Sequence, residues 1–253
     1  MPFDPVLLGS VAFFAGIVDA VVGGGGLIQV PVLLGHFPNA SIPTLFGTNK
    51  VSSIAGTGAA MWRFTRSVPI PWRIVLPAAL MALAGAWIGA AIVAWLPREA
   101  MKPLVLVLMI AVAFQTFRRK DFGHAATREV SAADRPRAVA FGGAMGVYDG
   151  FFGPGTGSLL IFGFVRLFGM DLLRASASAK VINAATNVSA IAFFASHGPL
   201  LWSAGLLMAA CNLVGAQVGT WLALRHGTGF VRKAFLVVVL VLIAKLAWEL
   251  LPS

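Results

Sequence analysis

Hydrophobic residues fill long stretches of this chain, and polar residues gather in the short intervals between them. Residues 75–96, 200–224 and 234–244 contain no charged side chain. About 20 consecutive apolar residues are enough for an α-helix to cross the hydrocarbon core of a bilayer. The pattern therefore predicts an all-α integral membrane protein.

The composition strengthens this prediction. Of 253 residues, 58% are hydrophobic and only 11% are charged, whereas about 25% are charged in a typical soluble domain. A net charge of +10 would suggest a nucleic-acid partner in a soluble protein, but no basic run here is interleaved with exposed aromatic residues. We attribute the charge to loops that orient a membrane protein and expect a lipid bilayer, not nucleic acid, as the partner.

The chain also repeats itself at an offset of 130 residues. The coincident pairs include Asp19 with Asp149, Gly23 with Gly153, Gly25 with Gly155, Lys50 with Lys180, Pro69 with Pro199 and Trp72 with Trp202. Residues of these types rarely coincide by chance in an apolar chain. The sequence therefore predicts two copies of one unit, residues 1–117 and 138–253, joined by a polar linker at 118–137.

Each unit shows the same order of apolar segments. An apolar segment runs into a Gly-rich break, a shorter apolar segment follows, and three further segments complete the unit. The predicted segments are 6–22, 27–36, 44–62, 74–96 and 102–117 in the first unit, and 138–152, 157–168, 174–195, 200–224 and 231–250 in the second. Depending on how the broken segments are counted, the chain has 8–10 membrane segments.

Charge in the loops indicates how the broken segments are arranged. If each is a hairpin that returns to its starting side, 14 Lys and Arg residues lie on one side of the membrane and two on the other. If each is a single crossing, the split is about nine to seven. Because positive loops face the cytoplasm, we expect hairpins, two inverted repeats, a cytoplasmic 118–137 linker and both termini outside.

The first candidate constellation is an Asp followed by the Gly-rich break, present in both units. A broken helix in a membrane is tolerated only where protein or a water-filled cavity satisfies its backbone, and a helix beginning there suits an anion. The predicted binding residues at the breaks are Gly24, Gly25, Gly26, Gly155, Thr156, Gly157 and Ser158. The alternative is a tight turn that serves packing alone.

The second constellation is a lysine within an apolar segment of each unit. Lys50 and Lys180 would each cost about 2.5–3.5 kcal/mol to insert. Three interpretations remain open: snorkelling near a helix end, structural ion pairs of Lys50 with Asp19 and Lys180 with Asp149, or two cations facing one anion cavity. We favour the cavity, with Asn49, Ser53, Asn183 and Asn187 completing the hydrogen bonds.

Several motifs also carry a resemblance to a known family. They are Ala15-Gly16-Ile-Val-Asp19 before Gly23-Gly-Gly-Gly26-Leu-Ile, Gly47-Thr-Asn-Lys50, Gly153-Pro-Gly-Thr-Gly-Ser158 after Asp149, and Ala179-Lys180. At these residues the chain resembles the sulfite exporter TauE/SafE permeases, also called the TSUP family, and the likeness covers nearly the whole chain.

The resemblance implies a secondary transporter, expected to be an exporter, of a small anion such as sulfite, sulfoacetate or another organosulfonate. It further implies an inner membrane of the bacterial type, alternating access and coupling to protons or another ion without ATP. Asp19 and Asp149 would be the proton-linked or lysine-neutralising acids. The sequence leaves open an anion-selective channel or an uptake permease for another small organic anion. It shows no nucleophile–base pair and no metal-ligand spacing, so we expect no enzyme, metal or cofactor.

Overall fold

The computed structural model describes residues 4–95, 107 and 128–250, and in these the chain forms helices joined by short turns, with no strand. The predicted segment 102–117 and the first part of the linker lie outside the described residues, apart from Val107. The helices are α1 (Pro5–Val22), α2 (Gly26–His36), α3 (Ile42–Ser67), α4 (Trp72–Ala94), α5 (Arg135–Phe151), α6 (Thr156–Phe168), α7 (Leu172–His197) and α8 (Trp202–Leu250). A 3₁₀ turn, Ala132–Asp134, precedes α5.

The helices repeat at the offset found in the sequence. Each of α1–α4 begins 130 residues before its counterpart among α5–α8. The start signals repeat as well: Ser41 accepts a backbone hydrogen bond at the start of α3, and Asp171, at the equivalent position, does so at the start of α7. Side-chain oxygens at this position satisfy otherwise free N–H groups of the first turn. The predicted helical segments are confirmed over the described residues.

Each Gly-broken segment folds back on itself. In the first half, the backbone N–H of Asp4, before α1, donates to Nε2 of His36 at the end of α2 (3.4 Å). In the second half, the Phe141 ring near the start of α5 lies 6.2 Å from the ring of Phe168 at the end of α6. Contacts between the first and last turns mean that α1–α2 and α5–α6 are hairpins.

The two halves interleave, because each hairpin packs on a helix of the other half. The most extensive helix pairs are α4 with α5 and α1 with α8. Along α5, three glycines one turn apart face α4; Cβ atoms added to Gly142, Gly146 and Gly150 would lie 2.0–2.3 Å from carbonyl oxygens of α4. Cβ atoms added to Gly215 and Gly219 of α8 would lie 2.0 and 2.5 Å from carbonyl oxygens of α1. Small residues thus allow close backbone contact, the usual device for packing helices in lipid.

The outer surface is apolar, as a lipid-facing surface must be. Pro5–Val22, Trp72–Ala94 and Trp202–Gly227 are long and apolar enough to cross a bilayer. Along α4, large hydrophobic side chains such as Leu76, Leu80 and Ile88 are exposed. At Gly227 the backbone leaves the helical region (φ 67°, ψ −161°). This break separates the predicted segments 200–224 and 231–250 within α8.

Candidate functional site

The two Gly-rich breaks touch each other inside the protein. Ser158 donates its backbone N–H to the Gly23 carbonyl (3.1 Å) and its hydroxyl to the Val22 carbonyl (2.8 Å). Gly23 ends α1 in the left-handed region (φ 78°), and a Cβ there would lie 2.3 Å from the carbonyl carbon of Gly157. Only glycine fits this position without strain. The tips of both hairpins therefore meet at one point.

Two ion pairs cross between the halves at this point, one buried on both sides and one in which the Asp19 side chain is 14% exposed. Lys50 Nζ on α3 lies 2.7 Å from Asp149 Oδ2 on α5, and Lys180 Nζ on α7 lies 2.8 Å from Asp19 Oδ2 on α1. Lys180 also donates to the backbone carbonyl of Asp19. The interpretation that paired each Lys with the Asp of its own repeat, one of the three left open by the sequence, is wrong, because the interleaved hairpins bring each lysine to the opposite break.

The lysines do not reach the membrane surface. Lys50 is 4% exposed and Lys180 is 1% exposed, so the snorkelling interpretation is also wrong. The Gly-rich break of the second half lies directly against Lys50 of the first half, because a Cβ added to Gly153 would lie 3.1 Å from Lys50 Nζ. Lys50 is thus held between a carboxylate and a glycine turn, whereas Lys180 is held by the carboxylate and the backbone carbonyl of Asp19.

A small cavity adjoins both ion pairs. Its volume is about 20 Å³, which is room for about one water molecule. Its walls are formed by both halves of the chain: Asp19, Gly23, Gly26, Lys50, Ser53, Thr57, Asp149, Gly153, Gly155, Gly157, Asn183 and Asn187. Ser53 and Asn183 occupy equivalent positions of the repeat, as do Thr57 and Asn187.

Most of the predicted residues are brought together here, and the rest lie just behind the wall. Lys180 stands behind Asp19 through its ion pair. Asn49 lies behind Gly26, where an added Cβ would be 3.8 Å from its Nδ2. The residues predicted at the breaks but absent from the wall are Gly24, Gly25, Thr156 and Ser158.

The two break hydroxyls are already used as donors. Thr156 Oγ1 donates to the Gly153 carbonyl (2.7 Å), and Ser158 Oγ is bonded to Val22, so both serve the turns. Gly25 contributes differently, because its backbone N–H donates to Asp19 Oδ1 (3.4 Å). These three residues therefore shape and hold the breaks.

Thr57, Gly23 and Gly153 also line the wall, although they are not among the predicted binding residues. Thr57 donates its hydroxyl to Asp19 Oδ2 (3.3 Å). Its position, 130 residues before the predicted Asn187, was the signal that would have found it. The equivalent donor in the second half, Asn187 Nδ2, is buried and has no hydrogen-bond partner among the described residues. It is a free donor in the cavity wall.

The chemistry of the wall suits a small anion. The Lys50 ammonium, neutral hydrogen-bond donors and the first turns of α2 and α6 converge on it, the Lys180 ammonium lies behind Asp19, and the two carboxylates in the wall neutralise these cations. A helix N-terminus favours negative charge. Among the described residues, no group of three His, Cys, Asp or Glu could hold a metal ion. Asn212 and Gln217 take no part: Asn212 donates to the Ala12 carbonyl (3.1 Å) across α1 and α8, and Gln217 accepts from Arg63 (3.3 Å).

Comparison with known proteins agrees with a transporter. The family model described as "Sulfite exporter TauE/SafE" matches residues 8–246. The chain is 36% identical to the probable membrane transporter protein ORF9 of Sinorhizobium sp., over 93% of this chain and 89% of that protein. It is 31% identical to the probable membrane transporter protein YfcA of Escherichia coli K12, over 97% of this chain and 91% of that protein. It is 29% identical to a probable membrane transporter protein of Haemophilus influenzae, over 96% of this chain and 94% of that protein. No solved structure matches the chain. The protein is a multi-pass membrane protein that belongs to the sulfite exporter TauE/SafE family of membrane transporters.

Proposed function

We propose that this protein is a secondary transporter, and an exporter, of a small anion such as sulfite or an organosulfonate. One observation carries the proposal: Lys50 lines the cavity and Lys180 stands directly behind its Asp19 wall, and each lysine is neutralised by a carboxylate of the other half. The Asp partners stand in for the anion in its absence. The arrangement is that of an anion site closed by its own counter-ions.

Anion binding in this site is coupled to protonation. A substrate anion that binds the Lys50 ammonium displaces Asp149, whose side chain is 1% exposed. A carboxylate without a partner is costly at that depth, so it binds a proton and becomes neutral. Lysine, anion and protonated aspartate together keep the charge of the original ion pair. One proton therefore accompanies each anion that opens a pair, in the same direction. Export then runs on the outward gradient of the anion itself, and an inward proton gradient drives the reverse reaction, uptake.

The cavity must enlarge before it admits substrate. Sulfite alone has four heavy atoms, whereas a volume of about 20 Å³ holds about one water. We propose that the two hairpins move apart alternately toward either side of the membrane, as expected for inverted repeats around a central site. Residues 1–117 and 138–253 form the two repeats, linker 118–137 is cytoplasmic, both termini lie outside, and the membrane is a bacterial-type inner membrane.

Transport by the purified protein in liposomes tests this function. Sulfite, sulfate, sulfoacetate, taurine and acetate are offered with and without a pH gradient. We expect an anion of the sulfite or sulfonate class to accumulate against its gradient when protons flow with it. Lys50→Ala and Lys180→Ala abolish this flux. Arg66→Ala, which removes an exposed positive charge stacked on Trp62, is the matched control and keeps it.

An anion channel is the principal alternative. It uses the same lysines but needs no coupling, so its flux is only downhill and ignores the pH gradient. Asp149→Asn separates the two. In a coupled transporter it leaves downhill anion flux but removes accumulation driven by protons. Wild-type flux in both lysine variants would exclude this site. Undiminished proton-driven accumulation in Asp149→Asn would exclude a role of Asp149 in coupling.

A further inference from the structure

Three polar side chains behind the cavity wall have unused hydrogen-bonding atoms. Gln29 Oε1 and Nε2, Asn49 Oδ1 and Ser52 Oγ are buried and have no partner among the described residues. Gln29 and Ser52 are 0% exposed and Asn49 is 4% exposed. Buried polar groups are nearly always satisfied in folded proteins. Three such side chains on the adjoining helices α2 and α3 therefore offer unused donors and acceptors to a ligand.

These residues, which we call the amide cluster (Gln29, Asn49 and Ser52), adjoin the cavity. Gly26 lines the cavity, and a Cβ there would lie 3.8 Å from Asn49 Nδ2. Gln29 follows Gly26 by one turn of α2, and Ser52 follows Asn49 by one turn of α3, so each lies on the same helix face as its neighbour. The amide cluster thus extends the site between α2 and α3.

The second half of the chain has no such cluster. The positions 130 residues later are Leu159, Ala179 and Ile182. Ala179 and Ile182 are buried in an apolar cluster, and Leu159 packs against another. The cavity wall, in contrast, is polar in both halves. The repeated helix arrangement therefore packs well with apolar residues at these three positions, and the fold does not require the amide cluster.

We infer that the amide cluster is a subsite for an uncharged hydroxyl or carboxamide group of the transported anion. Two amides and a hydroxyl offer both donors and acceptors but no charge, which complements a group that itself donates and accepts. The charged end of the same ligand lies with the lysines. This inference rests on the proposed function and adds to it a preference for hydroxylated organic anions.

Matched ligands test the subsite. The affinities of the purified protein for 2-hydroxyethanesulfonate and for ethanesulfonate, which differ by one hydroxyl, are measured by calorimetry, with sulfite as the reference anion. We expect the hydroxylated sulfonate to bind at least about tenfold more tightly, because it satisfies groups that otherwise stay unpaired. The variant Q29L/N49A/S52I copies the second half of the chain. In this variant the ratio of the two affinities falls to near one, because the hydroxylated sulfonate binds more weakly.

The outcomes separate the subsite from the function on which it rests. Sulfite binding without a preference between the two sulfonates, or with no sulfonate bound, overturns the subsite alone. No binding of any of the three anions overturns the proposed function as well. The single variant Asn49→Ala keeps the test available if the triple variant does not fold, and an unchanged ratio in it counts against the subsite. A lower melting temperature of the folded triple variant would assign the cluster to bound structural water instead.

Discussion

Lys50 and Asp149 form a buried ion pair although they lie 99 positions apart and in different halves of the chain. The ammonium and the carboxylate are separated by 2.7 Å, and the side chains are 5% and 1% exposed. Removing one partner of such a pair leaves an uncompensated charge, whereas removing both is often tolerated. The same relationship joins Lys180 to Asp19, so two charge pairs connect the halves at the cavity.

The first prediction concerns the stability of this pair. We expect Lys50→Met alone to lower the free energy of unfolding by about 3–5 kcal/mol, because Asp149 then stays buried without a partner. The double variant with Asp149→Leu recovers most of that loss. Thermal unfolding in detergent measures both.

Transport behaves differently from stability in the same variants. The double variant is stable but moves no anion, because its site has lost a cation. A double variant that is as unstable as Lys50→Met would show that the ion pair is not the source of the loss.

The second prediction concerns the contact between the hairpin tips. Gly23→Ala places a methyl group 2.3 Å from the Gly157 carbonyl carbon, at a left-handed φ of 78°. The backbone conformation alone costs about 1–3 kcal/mol in a residue with a side chain, and the clash adds to it. We expect a lower melting temperature and loss of transport.

Gly58→Ala is the matched control for this change. Gly58 lies within α3, and no atom lies within 4 Å of its added Cβ. Alanine is better than glycine in a helix by roughly 0.5–1 kcal/mol, so the control keeps or raises the melting temperature. Equal behaviour of the two variants would refute the close contact at Gly23.

The third prediction is a pH dependence outside the membrane segments. Asp134 accepts two hydrogen bonds from the Arg128 guanidinium (2.7 and 2.8 Å). The hydrogen bonds from Arg128 are the largest cause, and the hydrogen bond from the Ser131 N–H is the second, of the lowering of the pKa of Asp134 from 3.8 to about 2. Because the folded pKa lies below the unfolded one, the interaction stabilises the protein above about pH 4 and is lost as the pH falls toward 2.

Asp134→Asn removes this contribution. Comparison of melting temperatures between pH 5 and pH 2 should show the two proteins converging as the pH falls. The difference at pH 5 is small, because the pair is exposed and screened by solvent. Curves that stay parallel over this range would show that Asp134 is not the titrating group.

The fourth prediction concerns orientation. Cys211 is the single cysteine, so a Cys211→Ala chain with Lys120→Cys carries one label site in the linker. We expect this cysteine to be unreactive to an impermeant reagent in intact cells and reactive after lysis, because positive loops face the cytoplasm. Labelling in intact cells would reverse the assignment of sides.

The sequence by itself determined the membrane class, the repeat and the helices. Helix boundaries follow from local properties, namely runs of apolar residues and start signals such as Ser41 and Asp171. The 130-residue offset predicted where equivalent helices begin, and the Gly-rich breaks and lysines were identified from their cost in a membrane. Loop charge favoured the hairpins, which the contacts of Asp4 with His36 and of Phe141 with Phe168 bear out.

Only the tertiary structure decided which residues meet. Sequence patterns report what each helix buries, but partner choice depends on how the hairpins interleave, and this joined Lys50 to Asp149 instead of Asp19. The same packing committed the Ser158 hydroxyl to Val22, brought Thr57 into the wall and limited the cavity to about 20 Å³. Equivalent positions of the repeat also differ in their surroundings: Asn49 lies behind the cavity wall at Gly26, whereas Ala179 packs in an apolar core. Such differences arise from contacts between distant segments, which local composition does not encode.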